Sequence, residues 1–108
     1  MITLYYSPNC SKCRLSKKIL TCHNLEFIIR DYLKKPLNND ELLRLLDKLK
    51  RPETLIRSDV TEGRLLSNNN IAKLITEDPS LMQRPTLETE SNAIIARPPF
   101  LIYNFLNI

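Results

Sequence analysis

A Cys-x-x-Cys placed directly after a short β-branched and aromatic run limits what this chain can fold into more than any other feature. The stretch reads YYSPNCSKCR, residues 5–14. Ile2 to Tyr6 has the composition of a short buried strand, and Ser7-Pro8 stops it. From Ser11, Leu15, Ile19 and Leu20 recur at helical spacing up to about Cys22, with basic residues on the other face, before HNLE interrupts the pattern. Glu26 to Leu33 (EFIIRDYL) reads as a second strand ending near residue 32. A crossover helix between adjacent strands favours parallel pairing, so the chain opens as a β-α-β unit.

The remaining elements follow from pattern and punctuation. KKPLNNDELLRLLDKLK is a polar turn and an amphipathic helix, with Asn38 and Glu41 at capping-box spacing and Leu42, Leu45, Leu46 and Leu49 on one stripe. Pro52 ends it. A second helix is expected over about 70–77 through Ile71, Leu74 and Ile75, stopped by Asp78-Pro79. The single Gly63 marks the loop between them. Strands are expected near 86–90 and 93–96, followed by a helix near 98–107 with Pro98 and Pro99 in its first turn and Leu101, Ile102, Phe105 and Leu106 on its buried face. The order is β-α-β, a helical insert over about 38–80, then β-β-α, and 108 residues with 43% hydrophobic content fit one domain, 1–108.

The cysteine loop has a chemical consequence. If Cys10 lies in the loop after the first strand and a helix begins near Ser11, its sulfur faces unpaired backbone N–H groups and the positive end of the helix dipole. Lys12 and Arg14 add positive charge. Such a site lowers a thiol from ~8.5 into the range of ~3.5 to 7.5 that reactive cysteines show. Cys13, one turn on, is close enough to form a disulfide with Cys10. Cys-x-x-Cys after the first strand of a β-α-β pattern is a redox signal, whereas two ordinary buried small residues would be its plain alternative. Zinc bound by Cys10, Cys13, Cys22 and His23 would need the first helix not to exist. Along a continuous helix Cys13 and Cys22 are about 13 Å apart, while zinc holds each sulfur at ~2.3 Å. No metal is expected.

Composition sets the remaining bounds. The net charge of +4 comes from Lys and Arg spread along the chain, not gathered into a basic arm, so no direct nucleic-acid contact is expected from charge. Three cysteines do not read as a secreted disulfide framework, and a reducing cytoplasm is the expected compartment. The apolar start MITLYY is too short for a signal-peptide core or a membrane span, and no membrane association is expected. A monomer is expected.

Three arginines lie beside apolar residues: Arg57 in TLIRSD, Arg84 in LMQRPT and Arg97 in IARPPF. Singly, each reads as a solvated charge or a structural ion pair. Together with SPNCSKCR, the stretches LIRSD, DPSLMQRPT and ARPP resemble, in order and near-family spacing, the arsenate reductases of the glutaredoxin-coupled ArsC type, a family that also contains the Spx regulators. The resemblance covers essentially the whole chain. It implies an α/β, thioredoxin-like (glutaredoxin-type) fold with a helical insertion between its two halves. Cys10 falls on the family's nucleophile, Arg57, Arg84 and Arg97 on the arginines that bind the oxyanion, and Pro85 on the proline that such folds place in cis beside the site. Guanidinium forks suit that task because they match a tetrahedral anion bidentately and stay charged.

Two departures matter. Tyr6 stands where the reductases usually carry His, which removes one expected source of cysteine activation. Cys13 stands where they usually carry Ser before Arg14, which gives the Cys-x-x-Cys of Spx-like members. Arg97 tilts the resemblance toward the reductases. It implies a thiol oxidoreductase that reduces arsenate, or a similar small oxyanion, to arsenite, with Cys13 as a resolving thiol and no bound cofactor. Glutathione with glutaredoxin, or thioredoxin, would be the external reductant. The alternatives are an Spx-like redox switch that binds RNA polymerase and a general glutaredoxin-like disulfide reductase.

Overall fold

A computed structural model describes residues 1–108. Strand β1 (Ile2–Tyr6) leads into α1 (Ser11–Cys22) and β2 (Phe27–Asp31). The segment between the two halves holds α2 (Asn39–Lys48), a 3-10 turn (Pro52–Leu55), α3 (Ser58–Thr61), α4 (Asn68–Glu77) and a second 3-10 turn (Pro79–Leu81). The chain then returns through β3 (Thr86–Glu88), β4 (Ala93–Ile95) and α5 (Leu101–Leu106). The sheet order is β2-β1-β3-β4. β1 and β2 are parallel, with Ile2 opposite Phe27 and Tyr6 opposite Asp31, while β1–β3 and β3–β4 are antiparallel.

Alternation along central β1 sends neighbouring side chains to two separate cores. Leu4 joins Ile19, Leu20, Leu87, Ala96 and Ile102 on the face covered by α1 and α5. Tyr5 joins Tyr32 and the expected α2 stripe of Leu42, Leu45, Leu46 and Leu49, with Ile71 and Ile75 of α4, on the other face. The insert is therefore the second cover of the sheet. Polar ties fix it there. The Tyr5 hydroxyl donates to Glu88 Oε1 at 2.5 Å, and Lys48 Nζ donates to Glu88 Oε2 at 2.8 Å and to the Thr89 carbonyl at 2.9 Å. Arg30 on β2 forms a two-pronged ion pair with Glu41.

Glu41 also closes the expected capping box. Asn38 Oδ1 accepts from the Glu41 amide at 2.8 Å, and Glu41 Oε1 accepts from the Asn38 amide at 3.0 Å. Hydrogen bonding from Arg30, against the opposing effect of burial, holds the Glu41 carboxyl below its usual range. Asn38→Ala is expected to lower stability by about 1 kcal/mol, read as a lower midpoint in urea with an unchanged slope.

Several expectations need correction. β2 stops at Asp31, not near residue 32, because Asp31 Oδ1 accepts from the Leu33 and Lys34 amides and its carbonyl accepts from Lys34 and Lys35, closing a turn. β3 ends at Glu88 because Thr89 and Asn92 bond each other across the hairpin loop, the Thr89 amide to the Asn92 carbonyl at 2.8 Å. The last helix begins at Leu101. Leu101 and Ile102 donate to the carbonyls of Pro98 and Pro99, so the prolines form a tight turn before the helix. Leu15 is 49% exposed, and the buried face of α1 is Cys13, Ser16, Ile19 and Leu20. The helical period holds, and the stripe also recruits the small side chains of Cys13 and Ser16. No helix is long and apolar enough to cross a membrane.

Candidate active site

Cys10 is the N-cap residue of α1, with extended backbone angles (φ −106°, ψ 119°) and a carbonyl that accepts the first intrahelical bond, from the Arg14 amide at 3.1 Å. Its own amide donates to the Ser7 carbonyl at 3.1 Å. Ser7 is buried at the end of β1, and its amide faces the Cys13 sulfur. One backbone unit thus holds both cysteines. Arg14 Nη1 donates to the Pro8 carbonyl at 2.8 Å, so this arginine braces the loop rather than the thiol. The first turn of α1 has no acidic residue.

The two thiols are driven apart. Partial burial works against ionisation of Cys10, but the Cys13 amide and thiol, the Lys12 amide and the Arg84 guanidinium all hydrogen-bond its sulfur, and the thiol falls below its ordinary value. Cys13 is fully buried, and burial together with its role as donor to Cys10 pushes it up to about 12. The two shifts run in opposite directions, so Cys10 is the more readily ionised of the pair and Cys13 the thiol that donates to it. Cys22 and His23 lie at the far end of α1, exposed, and the His23 ring meets Tyr103 edge-on at 5.3 Å between centroids.

This arrangement carries a prediction. Cys13→Ala should raise the Cys10 midpoint more than Cys13→Ser, since serine keeps a donor at that position. The check is iodoacetamide alkylation of Cys10 across pH, with rates rising as the thiolate forms. In the wild type the rise comes at lower pH than for a free cysteine at ~8.5.

The arginines separate into one contact and two neighbours. Arg84 reaches the Cys10 sulfur with its guanidinium, and Nη1 donates to the Tyr32 hydroxyl at 3.3 Å. Arg97 Nη1 donates to the Arg84 carbonyl at 2.8 Å, which places it one residue from the site while its side chain stays exposed. Arg57 Nη2 pairs with Asp59 Oδ2 at 3.0 Å. Its backbone nonetheless runs beside the segment leading to Arg84, with Arg57 donating to the Leu81 carbonyl and Gln83 to the Leu55 carbonyl. Both Arg84-Pro85 and Arg97-Pro98 are cis.

Two participants escaped the sequence reading. Ser7 read only as part of the strand's stop signal, and Tyr32 only as a strand residue. Parallel pairing was the available signal. It sets the end of β2 beside the end of β1, where the Cys10 loop begins.

A four-stranded mixed sheet of order β2-β1-β3-β4 with Cys-x-x-Cys opening its first helix defines a thioredoxin-like protein built around a thiol pair. A family model described as the ArsC family matches residues 5–105, and the chain belongs to that family. The Global transcriptional regulator Spx of Streptococcus agalactiae is 35% identical over 98 residues, covering 81% of this chain and 69% of the relative. Among solved structures, an arsenate reductase from Vibrio cholerae superposes with a TM-score of 0.83 at 24% identity over 95% of both chains, a likeness of fold. A Yersinia pestis protein provisionally named an arsenate reductase superposes with a TM-score of 0.82 at 27% identity over 100% of both.

Proposed function

We propose that this chain is a thiol oxidoreductase that reduces a tetrahedral oxyanion of the arsenate type at Cys10, with Cys13 as the resolving thiol. The observation that carries the reading is Arg84. Its guanidinium contacts the Cys10 sulfur, and its Nε is buried without a hydrogen-bond partner, so the cation beside the nucleophile has donor capacity left for an anion. Arg97, held on the Arg84 carbonyl, supplies the second positive charge. Arg57 would join only by leaving Asp59.

The steps balance without further groups. The Cys10 thiolate attacks arsenic(V); a sulfur–arsenic bond forms and one oxygen leaves as water after protonation. The Cys13 sulfur then attacks Cys10 Sγ. The sulfur–arsenic bond breaks with its electron pair passing to arsenic, arsenite departs carrying the Cys13 proton, and a Cys10–Cys13 disulfide remains. The Cys10 charge is one of the causes that keep Cys13 protonated. Once Cys10 is bonded to arsenic that charge is gone, and Cys13 becomes easier to ionise when its thiolate is needed. An external dithiol such as thioredoxin, or glutathione with glutaredoxin, would reduce the disulfide.

The Cys-x-x-Cys and the likeness to the Spx regulator favour a second reading, a redox-controlled protein that binds RNA polymerase. Both are tested together by assaying arsenite release with thioredoxin and with glutathione plus glutaredoxin, alongside RNA polymerase binding by the reduced and oxidised protein. Arsenite release with either reductant supports the enzyme. Release with neither, with polymerase bound by the oxidised protein alone, overturns it in favour of the regulator.

A further inference from the structure

Tyr32 is the largest fully buried side chain of the protein, 1% exposed, and its hydroxyl sits among the polar groups of the site. It donates to the Met82 carbonyl at 3.4 Å and accepts from Arg84 Nη1 at 3.3 Å. One hydroxyl therefore grips both the backbone and the side chain of the segment 82–84. That segment ends in the cis Arg84-Pro85 bond, and its Arg84 carbonyl is also the acceptor for Arg97. Among the groups that act most strongly on the Cys10 sulfur are the Cys13 thiol and amide, the Lys12 amide and the Arg84 guanidinium, and Arg84 is the cation that acts through its side chain.

We propose that Tyr32 is a positioning residue: its hydroxyl, just beyond the end of β2, orients against Cys10 the Arg84 guanidinium on which the thiolate, and any oxyanion attacked by it, depends. The placement follows from topology. β1 and β2 are parallel with Tyr6 opposite Asp31, so the residue after β2 stands beside the loop after β1. The Asp31 turn breaks the strand there and leaves Tyr32 free to bury its ring with Leu37, Leu42 and Met82 while its oxygen meets Arg84. A guanidinium with several rotatable bonds is otherwise costly to hold in one pose. A rigid phenol with a fixed acceptor confines it.

The substrate assignment is not needed for this inference, although its consequence for oxyanion reduction rests on the proposed reading. Tyr32→Phe removes only the oxygen. The alkylation midpoint of Cys10 should move up by about 0.5 to 1 pH unit, part of the one-to-three-unit effect an adjacent opposite charge can exert. The same change made on Arg84→Ala should add nothing, because a residue acting through Arg84 is silent without it. An unchanged midpoint, or an equal shift in both backgrounds, overturns the proposal.

A wild-type measurement covers the case in which Tyr32→Phe does not fold. Slowed rotation should give Arg84 separately resolved Nη–H signals by nuclear magnetic resonance, with a cross-peak to the Tyr32 ring. A single averaged signal with no such cross-peak overturns the proposal independently. Alkylation requires no arsenate, so a positive cycle with no arsenate turnover would keep Tyr32's role and remove the oxyanion reading alone.

Discussion

Cys10→Ser is expected to lower arsenate reduction by at least about 1,000-fold, some 4 kcal/mol of barrier, while Cys22→Ser leaves it unchanged. The size follows from what the site prepares. The Lys12 and Cys13 amides, the Cys13 thiol and Arg84 together outweigh partial burial and lower the Cys10 thiol from its ordinary value, which favours the thiolate. A serine hydroxyl in the same place stays protonated at neutral pH, and its oxygen cannot form the disulfide that the second step requires. Cys22 is exposed at the opposite end of α1 and shares none of these contacts. The pH profile gives an independent sign. Activity limited by the Cys10 thiolate rises with pH through a midpoint below ~8.5, and falls on the acid side as the thiolate takes up its proton. Arsenite formation measured for both variants checks the first claim. Retained turnover in Cys10→Ser would move the nucleophile elsewhere.

The second large effect is expected at Arg84. Arg84→Ala removes a charge-assisted contact of ~1.5 to 3 kcal/mol, or roughly 10- to 150-fold in rate if made in the transition state, and also raises the Cys10 midpoint. Arg97→Ala should cost less, because its exposed guanidinium reaches the site only through the Arg84 carbonyl. Arg57→Ala should cost least of the three, since Asp59 already holds it. Reduction of a small neutral disulfide should survive Arg97→Ala largely intact, because a disulfide offers no tetrahedral charge to bind. The assay is kcat/KM for arsenate and for the disulfide across the three variants. Equal losses on both substrates would mean that the arginines hold the loop and not an anion.

How far the sequence carried depends on the range of the interaction concerned. β1, α1 and α2 fall where periodicity and caps put them, because Ile2–Tyr6, the Asn38–Glu41 box and the leucine stripe act within a few residues. Local polar bonds were harder to see. Asp31 and Thr89 end their strands with turns that compete with an otherwise continuous β pattern, and Leu15 gave its expected buried place to Cys13 and Ser16. The cysteine pair was legible because its chemistry is set by its own helix start. The arginine cluster was legible only as a resemblance. Whether guanidinium groups converge is decided by loops that are distant in sequence, and the structure brings Arg84 to the thiol, Arg97 to Arg84, and Arg57 to Asp59. Tyr32 lies 52 residues from Arg84, and no local pattern joins them.

The central claim is that Cys10 and Cys13 together deliver two electrons to a bound oxyanion. A single-turnover experiment tests it most directly: fully reduced protein with all external thiol removed is mixed with arsenate, quenched, and analysed by mass spectrometry and for arsenite. The expected result is one arsenite per protein, a loss of two hydrogens, and a disulfide mapped to Cys10 and Cys13. Protein that keeps its thiols and yields no arsenite, while the same preparation forms the Cys10–Cys13 disulfide with a chemical oxidant, would contradict it.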